Sequence, residues 1–419
     1  LLWAPGIGGP DNCAVMTWFG IDLFDTTRSQ QAEAHGAVLT WSGPRYLSEE
    51  EPSVNHWEVA LTETRSAIAN NSLRELAQSQ SLSSPRLVEH MRNYDKMMGN
   101  NIGYLSQVVD SNTTLRIHSV ESHDDPIITD WVDFITNEYQ VPSSLDDVLV
   151  LLPCSARKPY SSSRSHQAFR RAMNHNSAHE VMVTSPLGLV PRDLEEVWPA
   201  GHYDIPVTGD WTQDESTRVT KMLDAIIAKN NYRVVINHSG FDYHCDIPVV
   251  DTRQGDSATN QNALKRLSAA ILDNMRVKRR SGELMNLESF RSVSRFHYNN
   301  DSWLEGVQVR GRFPRWKILK DDVQIAMWAP ERGGFSLSKS SIPLLDSLDS
   351  LKRVQLKPEI KWKGDINLAI LDSYDNSIRK GEDILVMQGS QCIGSARAAA
   401  PAWEWEGTPG RLAKSHQRG

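Results

Sequence analysis

The chain has few cysteines, no long apolar run and no excess of positive charge. No two of its four cysteines form a CxxC pair, which argues against a disulfide framework and against a cysteine-rich zinc or iron–sulfur site, so we expect no metal. No apolar stretch approaches the ~20 residues of a membrane span and no signal-peptide pattern opens the chain, so we expect a cytoplasmic protein with no membrane partner. The first residue is Leu and not Met, which indicates a fragment or a processed chain.

Charge is distributed unevenly along the 419 residues. The net charge is −7, yet residues 276–320 contain eleven Lys and Arg against four Asp and Glu. A basic block in an acidic protein is typical of a phosphate-binding surface, and a solvated helix face followed by a basic linker is the alternative. A chain of this length is also too long for one ordinary domain, so we expect about two to four domains.

One stretch, residues 148–166, organises the rest of the chain. It begins with VLVLLPC, an unbroken apolar run that predicts a strand buried on both faces. A loop rich in hydroxyls and cations follows, and a helical pattern resumes near Gln167. A strand that opens through such a loop into a helix is where α/β proteins usually bind ligands.

Three further apolar runs follow at intervals that are typical of βαβ units. They begin near residues 180, 232 and 246. Helical patterns accompany them at 167–176, 190–197, 213–229 and 258–277. Strands that alternate with helices predict a parallel sheet, and polar residues at the strand ends should meet at one edge of it. The sequence therefore predicts a parallel-sheet catalytic core.

The polar loop carries a motif that indicates a family. PCSARKPYSSSRSH at 153–166 has the pattern PC, three residues, KPY, two residues, S, two residues, H. Together with TSPLGLVPRDLE at 184–195 and HYDIPVTGDW at 202–211, it resembles the core of the archaeosine synthases, which modify tRNA in archaea. The match has several parts and extends over residues 145–250, so it is far more specific than one short motif.

This resemblance implies a substrate and a reaction. The substrate is 7-cyano-7-deazaguanine (preQ0) that a separate transglycosylase has already placed at position 15 of tRNA. The reaction adds free lysine, through its side-chain amine, to the nitrile, and a radical-SAM partner protein then converts the adduct to archaeosine. Neither ATP nor glutamine is implied, so we expect no cofactor. A homodimer is one expected assembly.

The residue types in the motif suit this chemistry independently of the resemblance. A lysine amine, with a pKa near ~10.4, is almost wholly protonated at neutral pH. The site must therefore remove a proton from the amine, donate one to the imine nitrogen and align the two reactants. His166 or Asp204 is a candidate base. Tyr160 or Ser163 is a candidate donor to the imine nitrogen.

The remaining candidates divide into a nucleophile and substrate contacts. Cys154 either adds to the nitrile as a thioimidate, since cationic neighbours lower a thiol pKa, or ends the buried strand and only packs. Lys158 and Arg157 suit a phosphate or the carboxylate of free lysine. The other expected substrate contacts are Ser155, Ser185, Pro186, Gly188, His202 and Tyr203. His202 and Tyr203 have rim packing as their alternative, and Ser185 and Gly188 are expected to allow a close backbone approach to the base.

In the N-terminal region, residues 18–24 predict a short buried strand and residues 56–105 have helical patterns. This region also has a second resemblance. GIDLFD at 20–25, an HG pair and a TWSG turn are similar to the late barrel portion of tRNA-guanine transglycosylases, in which an aspartate at the place of Asp25 displaces guanine. The three zinc cysteines of that family are missing here, and only His56 remains. Most of a TIM barrel would also have to precede Leu1. We therefore expect residues 1–110 to be a truncated TIM-barrel-like segment with Asp25 as a vestige.

The C-terminal third has short alternating runs that predict antiparallel strands. Arg310, Arg312, Arg315 and Lys317 alternate with Phe313 and Trp316, a pattern that suits phosphates and unstacked bases, with an ordinary surface strand pair as the alternative. A short helix is expected at 341–351. Residues 353–419 then resemble a PUA domain, a small RNA-binding pseudo-barrel, through the KGD at 363–365, the KGED turn and the GSARA strand, and Lys363 and Gly364 are expected to contact RNA. An unrelated small β-barrel is the alternative.

These patterns predict a multidomain α/β protein. The expected parts are the truncated segment 1–110, an α/β catalytic core at 111–285, a small α+β module at 286–352 and the PUA β-barrel at 353–419. The expected activity is lysine transfer to preQ0 in tRNA. Its rivals are base exchange at Asp25, as in a tRNA-guanine transglycosylase, and a non-catalytic tRNA-binding subunit.

Overall fold

A computed structural model describes residues 1–46, 54–99, 108–109, 113–117, 119–205, 211–348 and 351–418. The chain divides into two compact units, the first made of Leu1–Asn100 with His118–Pro126 and the second of Asn101–Ile117 with Ile127–Gly419. Among the described residues, no helix is long and apolar enough to cross a membrane.

The first unit is mainly helical. Its elements are α1 (Cys13–Trp18), α2 (Thr27–Ala34), β1 (Ala37–Thr40), β2 (Gly43–Tyr46), α3 (His56–Ala69), α4 (Leu73–Ser81) and α5 (Pro85–Gly99). The helices predicted after residue 56 are confirmed. The buried strand predicted at 18–24 is wrong, because α1 extends to Trp18 and only Leu23 forms a β-bridge, to Trp3. The described part of this unit contains one β-hairpin as its sheet, so the TIM-barrel-like origin stays a prediction.

The central sheet of the second unit is mixed and mostly parallel. Its elements and their neighbours are β3 (Leu115–Arg116), α6 (Pro126–Asp133) with a π-helical turn at Phe134–Glu138, β4 (Val148–Pro153), α7 (Arg164–Met173), β5 (His179–Thr184), β6 (Gly188–Pro191), β7 (Tyr203–Asp204), α8 (Gln213–Ala228), β8 (Val234–Asn237), β9 (Val249–Asp251) and α9 (Gln261–Asn274). The strand order is β6-β5-β4-β8-β9, and the pairs β4–β5, β4–β8 and β8–β9 are parallel. The four predicted strands are thereby confirmed.

Strand β4 forms the middle of this sheet. Its residues Val148–Leu152 are wholly buried, as expected for a strand with a neighbour on each side and helices on both faces. The helix predicted at 190–197 is wrong. That segment begins as β6, which pairs antiparallel with β5, and continues as a short 3₁₀ turn at Arg192–Leu194. A short apolar run fits a strand as well as a helix, and here the free edge of β5 decides the outcome.

Helix α10 (Gly282–Tyr298) joins the central sheet to an antiparallel one. The latter consists of β10 (Gln308–Arg312), β11 (Arg315–Lys320), β12 (Val323–Ala329) and β13 (Gly334–Leu337). The two sheets share one hydrophobic core, and the predicted boundary at 285/286 lies inside α10. The helix predicted at 341–351 is shorter, α11 (Ile342–Asp346), with Pro343 in its first turn.

The C-terminal region forms its own five-stranded sheet. The strands are β14 (Arg353–Leu356), β15 (Leu371–Tyr374), β16 (Asp383–Gln388), β17 (Gln391–Ala398) and β18 (Ala413–Arg418), in the order β15-β14-β16-β17-β18. A separate cluster of buried residues around Trp405 fills its interior. The antiparallel strands predicted for this region are thus present and have a buried cluster of their own, and the PUA boundary at 353 stays a prediction.

Candidate functional site

The loop after β4 is held in one conformation by the helix that follows it. Ser163 caps α7, and its Oγ accepts a hydrogen bond from the His166 N–H at 3.2 Å. Tyr160 lies in a short 3₁₀ turn just before this cap and is wholly buried. An N-cap oxygen satisfies a helix N–H that has no partner inside the helix. Ser163 Oγ, the candidate donor to the imine nitrogen, therefore has a structural role as the N-cap of α7.

His166 is buried behind the loop with both ring nitrogens engaged. Nε2 lies 3.0 Å from the Pro153 carbonyl and therefore donates to it, and Nδ1 accepts from the Arg192 guanidinium at 2.9 Å. Burial and the nearby Arg192 charge lower the pKa of His166 to about 3. A neutral imidazole with no free nitrogen is poorly suited to act as the base, so the geometry assigns His166 to positioning the loop.

Arg192 extends this support to the neighbouring strands. Its guanidinium donates to Glu180 at 2.9 Å and to Glu195 at 2.8 Å. The Glu195 carboxylate in turn accepts the Ser161 N–H of the loop at 2.9 Å. Burial opposes the charge on Arg192, but the two carboxylates outweigh it and raise its pKa. The positive charge is therefore permanent, and it ties the loop to β5 and to the turn after β6.

Four polar side chains and one thiol converge at the carboxyl ends of β4 and β5, next to the loop that His166 and Arg192 hold. The Tyr203 hydroxyl hydrogen-bonds to the Tyr160 hydroxyl and to Thr184 Oγ1, the latter at 2.7 Å. Lys158 Nζ lies 4.0 Å from the centre of the Tyr203 ring, a cation–π distance. The Cys154 thiol is within hydrogen-bonding reach of Thr184, and the positive charge of Lys158 acts to lower the pKa of the thiol. We define Cys154, Lys158, Tyr160, Thr184 and Tyr203 as the strand-end cluster.

Burial moves the pKa values of the two reactive groups of this cluster toward each other. It raises the pKa of the Cys154 thiol, against the opposing effects of Thr184 and Lys158. It lowers the pKa of the Lys158 ammonium, against the opposing effects of Cys154 and Asp204. Both changes favour the pair of neutral forms, a thiol beside an amine. Lys158 is therefore a candidate for proton exchange with the thiol.

Helix α8 fixes the segment that follows β5. The Ser185 hydroxyl donates to Glu215, and the Pro186 carbonyl accepts from Arg218 at 2.9 Å. Gly188 has a φ of +73°, and a Cβ there would lie 2.2 Å from Met222 Sδ. Ser185, Pro186 and Gly188 therefore lie against α8, and the close approach of Ser185 and Gly188 to the substrate base stays a prediction.

The other predicted substrate contacts differ in how much of each side chain is exposed to solvent. Tyr203 is buried inside it, and His202 is half-buried with a pKa lowered by burial. Asp204 is exposed and acts electrostatically on Lys158. The Ser155 hydroxyl donates to the Arg157 carbonyl at 3.0 Å, and the Arg157 side chain is exposed. His202, Asp204 and Arg157 are thus the candidates that a bound substrate can reach from outside.

A second candidate surface lies on the hairpin of β10 and β11. Arg310 pairs with Lys317 across the strands and Arg312 pairs with Arg315, so these four cations project from the same face. All four are exposed, as is Phe313 at the turn. Arg310 has an exposed ion pair with Asp322. We name Arg310, Arg312, Arg315 and Lys317 the basic hairpin face.

The other predicted residues are not brought to either surface by a described contact. Lys363 and Gly364 are exposed in a loop of the C-terminal domain. Asp25, in the first unit, accepts the N–H groups of Gly6 at 2.8 Å and Thr27 at 3.0 Å, and these bonds lower its pKa. A carboxylate engaged in this way organises a turn, and the vestigial role of Asp25 stays a prediction.

Sequence reasoning missed Thr184 and Arg192 as parts of the site. Thr184 ends β5, and the pairing of Pro153 with Val183 places the next residues, Cys154 and Thr184, side by side. The position of Thr184 at a strand end next to the motif was a usable signal. Arg192 is connected to His166 only through the fold, and no local pattern points to that contact.

Comparison with known proteins adds a family model and several relatives. Residues 128–271 match a domain described as "Domain of unknown function (DUF5591)". The "Archaeosine synthase subunit alpha" of Methanosarcina acetivorans is 28% identical, and the match covers 94% of this chain and 71% of that protein. The "Archaeosine synthase" of Haloferax volcanii is 25% identical over 94% of this chain and 72% of its own. The Thermoplasma acidophilum "Archaeosine synthase subunit alpha" is 26% identical, with 96% and 78% covered.

A solved structure supports the fold of the larger part of the chain. A crystal structure of AF0587, "a protein of unknown function", is 21% identical, has a TM-score of 0.54 and covers 69% of this chain and 99% of its own. A PUA domain protein from Thermoplasma acidophilum is a weaker neighbour, with a TM-score of 0.25 over 31% of this chain. With several named relatives aligned along almost the whole chain, the similarity to the archaeosine synthases that the motif indicates is confirmed.

Proposed function

We propose that this chain acts in archaeosine biosynthesis and transfers free lysine, through its side-chain amine, to the nitrile of preQ0 at position 15 of tRNA. The observation that carries this proposal is the strand-end cluster, in which a thiol and an amine of altered pKa meet at the carboxyl end of the central strand. Ligands in α/β proteins bind at that edge. The names of the relatives support the tRNA-modifying role.

Cys154 is the proposed nucleophile and Lys158 the proposed base. The Cys154 sulfur adds to the nitrile carbon, and one π bond of the C≡N group breaks. The thiol proton passes to Lys158 Nζ and from there to the new imine nitrogen. The product is a thioimidate, in which the carbon is more easily attacked than in the nitrile.

The second step releases the enzyme. The amine of free lysine adds to the thioimidate carbon, the C–S bond breaks, and the sulfur regains a proton from the attacking nitrogen through Lys158. The net reaction joins a nitrile and an amine into an amidine, so atoms and protons balance without a further reactant. Asp204 and Arg157 are accessible partners for the ammonium and carboxylate of free lysine.

The tRNA itself is proposed to bind partly through the basic hairpin face. Four exposed cations on one side of a hairpin suit backbone phosphates, and the exposed Phe313 at its turn suits an unstacked base. The C-terminal domain, with Lys363 and Gly364, is proposed as a further RNA contact of the PUA type. Conversion of the adduct by a radical-SAM partner also belongs to this proposal.

The deciding experiment incubates the protein with tRNA that carries preQ0 and with isotopically labelled lysine, followed by nucleoside mass spectrometry. We expect a labelled lysine adduct from the wild type and none from Cys154→Ala. The matched control is Cys392→Ala, another half-buried cysteine far along the chain, which should retain activity. Without lysine, the wild type should form a protein–tRNA species that survives denaturation. An adduct formed by Cys154→Ala would exclude the covalent route, and no adduct from the wild type would reject the transferase.

A further inference from the structure

Two aromatic side chains meet at the same edge of the central sheet as the strand-end cluster. The ring centres of Trp211 and Phe241 are 5.3 Å apart and the rings are inclined by 35°. Both side chains are half-buried, with one part packed on the main core and the remainder accessible. Trp211 directly precedes α8, and Phe241 lies in the loop after β8.

Each of these rings is anchored to a different neighbour of β4. Trp211 is next to Thr212, the N-cap of α8, whose capping partner Glu215 also binds Ser185 just after β5. The Asn237 side chain, at the end of β8, donates to the Phe241 carbonyl at 2.8 Å. Since β5 and β8 are the two neighbours of β4 in the sheet, these anchors place both rings at the carboxyl edge at which β4 also ends. Cys154 directly follows Pro153, the last residue of β4.

The loop that presents Phe241 is built to be rigid. The Ser239 hydroxyl accepts the Phe241 N–H at 3.1 Å, and Arg253 donates to the Ser239 carbonyl at 3.0 Å. Gly240 has a φ of +82°, and a Cβ there would lie 2.1 Å from the Arg253 guanidinium. A fixed aromatic ring needs no ordering when a ligand binds, which favours stacking of a flat ligand on it.

We propose that Trp211 and Phe241 form the stacking wall for the base whose nitrile reacts at Cys154. This inference rests on the proposed function for the identity of the base, a 7-deazapurine, and adds the place where it is held. Stacking on the wall brings the plane of the base to the end of β4, where the strand-end cluster presents the thiol and the amine. The wall selects for a planar base, and the reaction requires a nitrile at the edge of that base.

The test compares four variants in steady-state lysine transfer and in equilibrium dialysis with the free nucleoside of 7-cyano-7-deazaguanine. Trp211→Ala and Phe241→Leu remove one ring each, Trp211→Phe keeps a ring, and Trp3→Ala removes an exposed tryptophan of the first unit as the control. Loss of one stacking partner should raise the KM for tRNA and the Kd for the nucleoside about 10- to 100-fold, with a smaller change in kcat. Trp211→Phe should recover most of the affinity.

The outcomes separate this inference from the proposed function. If Trp211→Ala and Phe241→Leu, shown to be folded by their unfolding temperatures, bind the nucleoside as the wild type does, the two rings only pack and the inference is overturned. Failure of the wild type to bind the nucleoside overturns it too. Nucleoside binding that is lost in Trp211→Ala, together with no lysine adduct from the wild type, supports the wall and rejects the transferase. Should Trp211→Ala not fold, Trp211→Leu with the same two measurements decides.

Discussion

The substitution His166→Gln distinguishes a positioning histidine from a catalytic base. In the folded chain His166 has a pKa of about 3, against about 6.5 in an unfolded chain. Between these two values the unfolded chain takes up a proton that the folded chain does not. The contribution of His166 to stability is therefore complete above pH 6.5, decreases as the pH falls, and is lost by about pH 3.

The size of this effect follows from the pKa difference. Each pH unit below 6.5 removes about 1.4 kcal/mol from the free energy of unfolding, so a fall to pH 4.5 removes about 2.7 kcal/mol. Glutamine does not titrate, and its amide can still donate to the Pro153 carbonyl. Near neutral pH we expect His166→Gln to cost about 1–3 kcal/mol, because the Arg192 contact is weakened or lost. The difference between wild type and variant should then shrink, and can reverse, as the pH falls.

Urea unfolding of both proteins at pH 7.5, 6.5, 5.5 and 4.5 measures this difference. Other buried histidines, such as His179 and His297, titrate in both proteins and cancel when the two are subtracted. A constant difference across the series would refute the buried neutral imidazole. So would a wild-type pH–rate profile with an acidic limb near pH 6.5 that disappears in His166→Gln, since that limb is the signature of a histidine base.

Three further predictions test the site, the RNA surface and the rival activity. Lys158→Met should lower kcat for lysine transfer at least about 100-fold while Lys221→Met, on the exposed face of α8, should not; equal rates would remove Lys158 from the mechanism. Arg312→Gln should lower the slope of log K against log salt for tRNA binding by about 1, and an unchanged slope would place the phosphate contacts elsewhere. Asp25→Asn should leave lysine transfer unchanged, and guanine exchange into tRNA that this variant abolishes would instead revive the transglycosylase hypothesis.

The sheet could be predicted from the sequence because the apolar composition of its strands is compatible with few structures. An apolar run such as 148–152 is satisfied by complete burial, and four apolar runs at βαβ spacing predict a parallel sheet. Residues 188–194 could not be predicted in this way, since their length and composition fit two structures. The pairing of β6 with β5 is a tertiary contact that overrides local preference.

The candidate site could be located from the sequence more reliably than its roles could be assigned. The motif placed Cys154, Lys158 and Tyr160 together, and the structure brings these three to one strand end. The motif also suggested His166 as a base, because histidine has the right pKa in water. Whether that value survives folding depends on burial and on Arg192, 26 residues away in the chain, and neither is visible in a local pattern.

The two half-buried cations at this edge of the sheet show how the fold separates support from chemistry. Arg192 lies between two carboxylates, which raise its pKa and make its charge permanent, so it can hold His166 and the loop without ever giving up a proton. Lys158 lies over an aromatic ring and beside a thiol, where burial lowers its pKa. A guanidinium is the right group for the first task and an amine for the second. Arg192→Lys should therefore lower the free energy of unfolding, because the forked contacts are lost, and Lys158→Arg should lower kcat for lysine transfer, because a guanidinium cannot accept a proton.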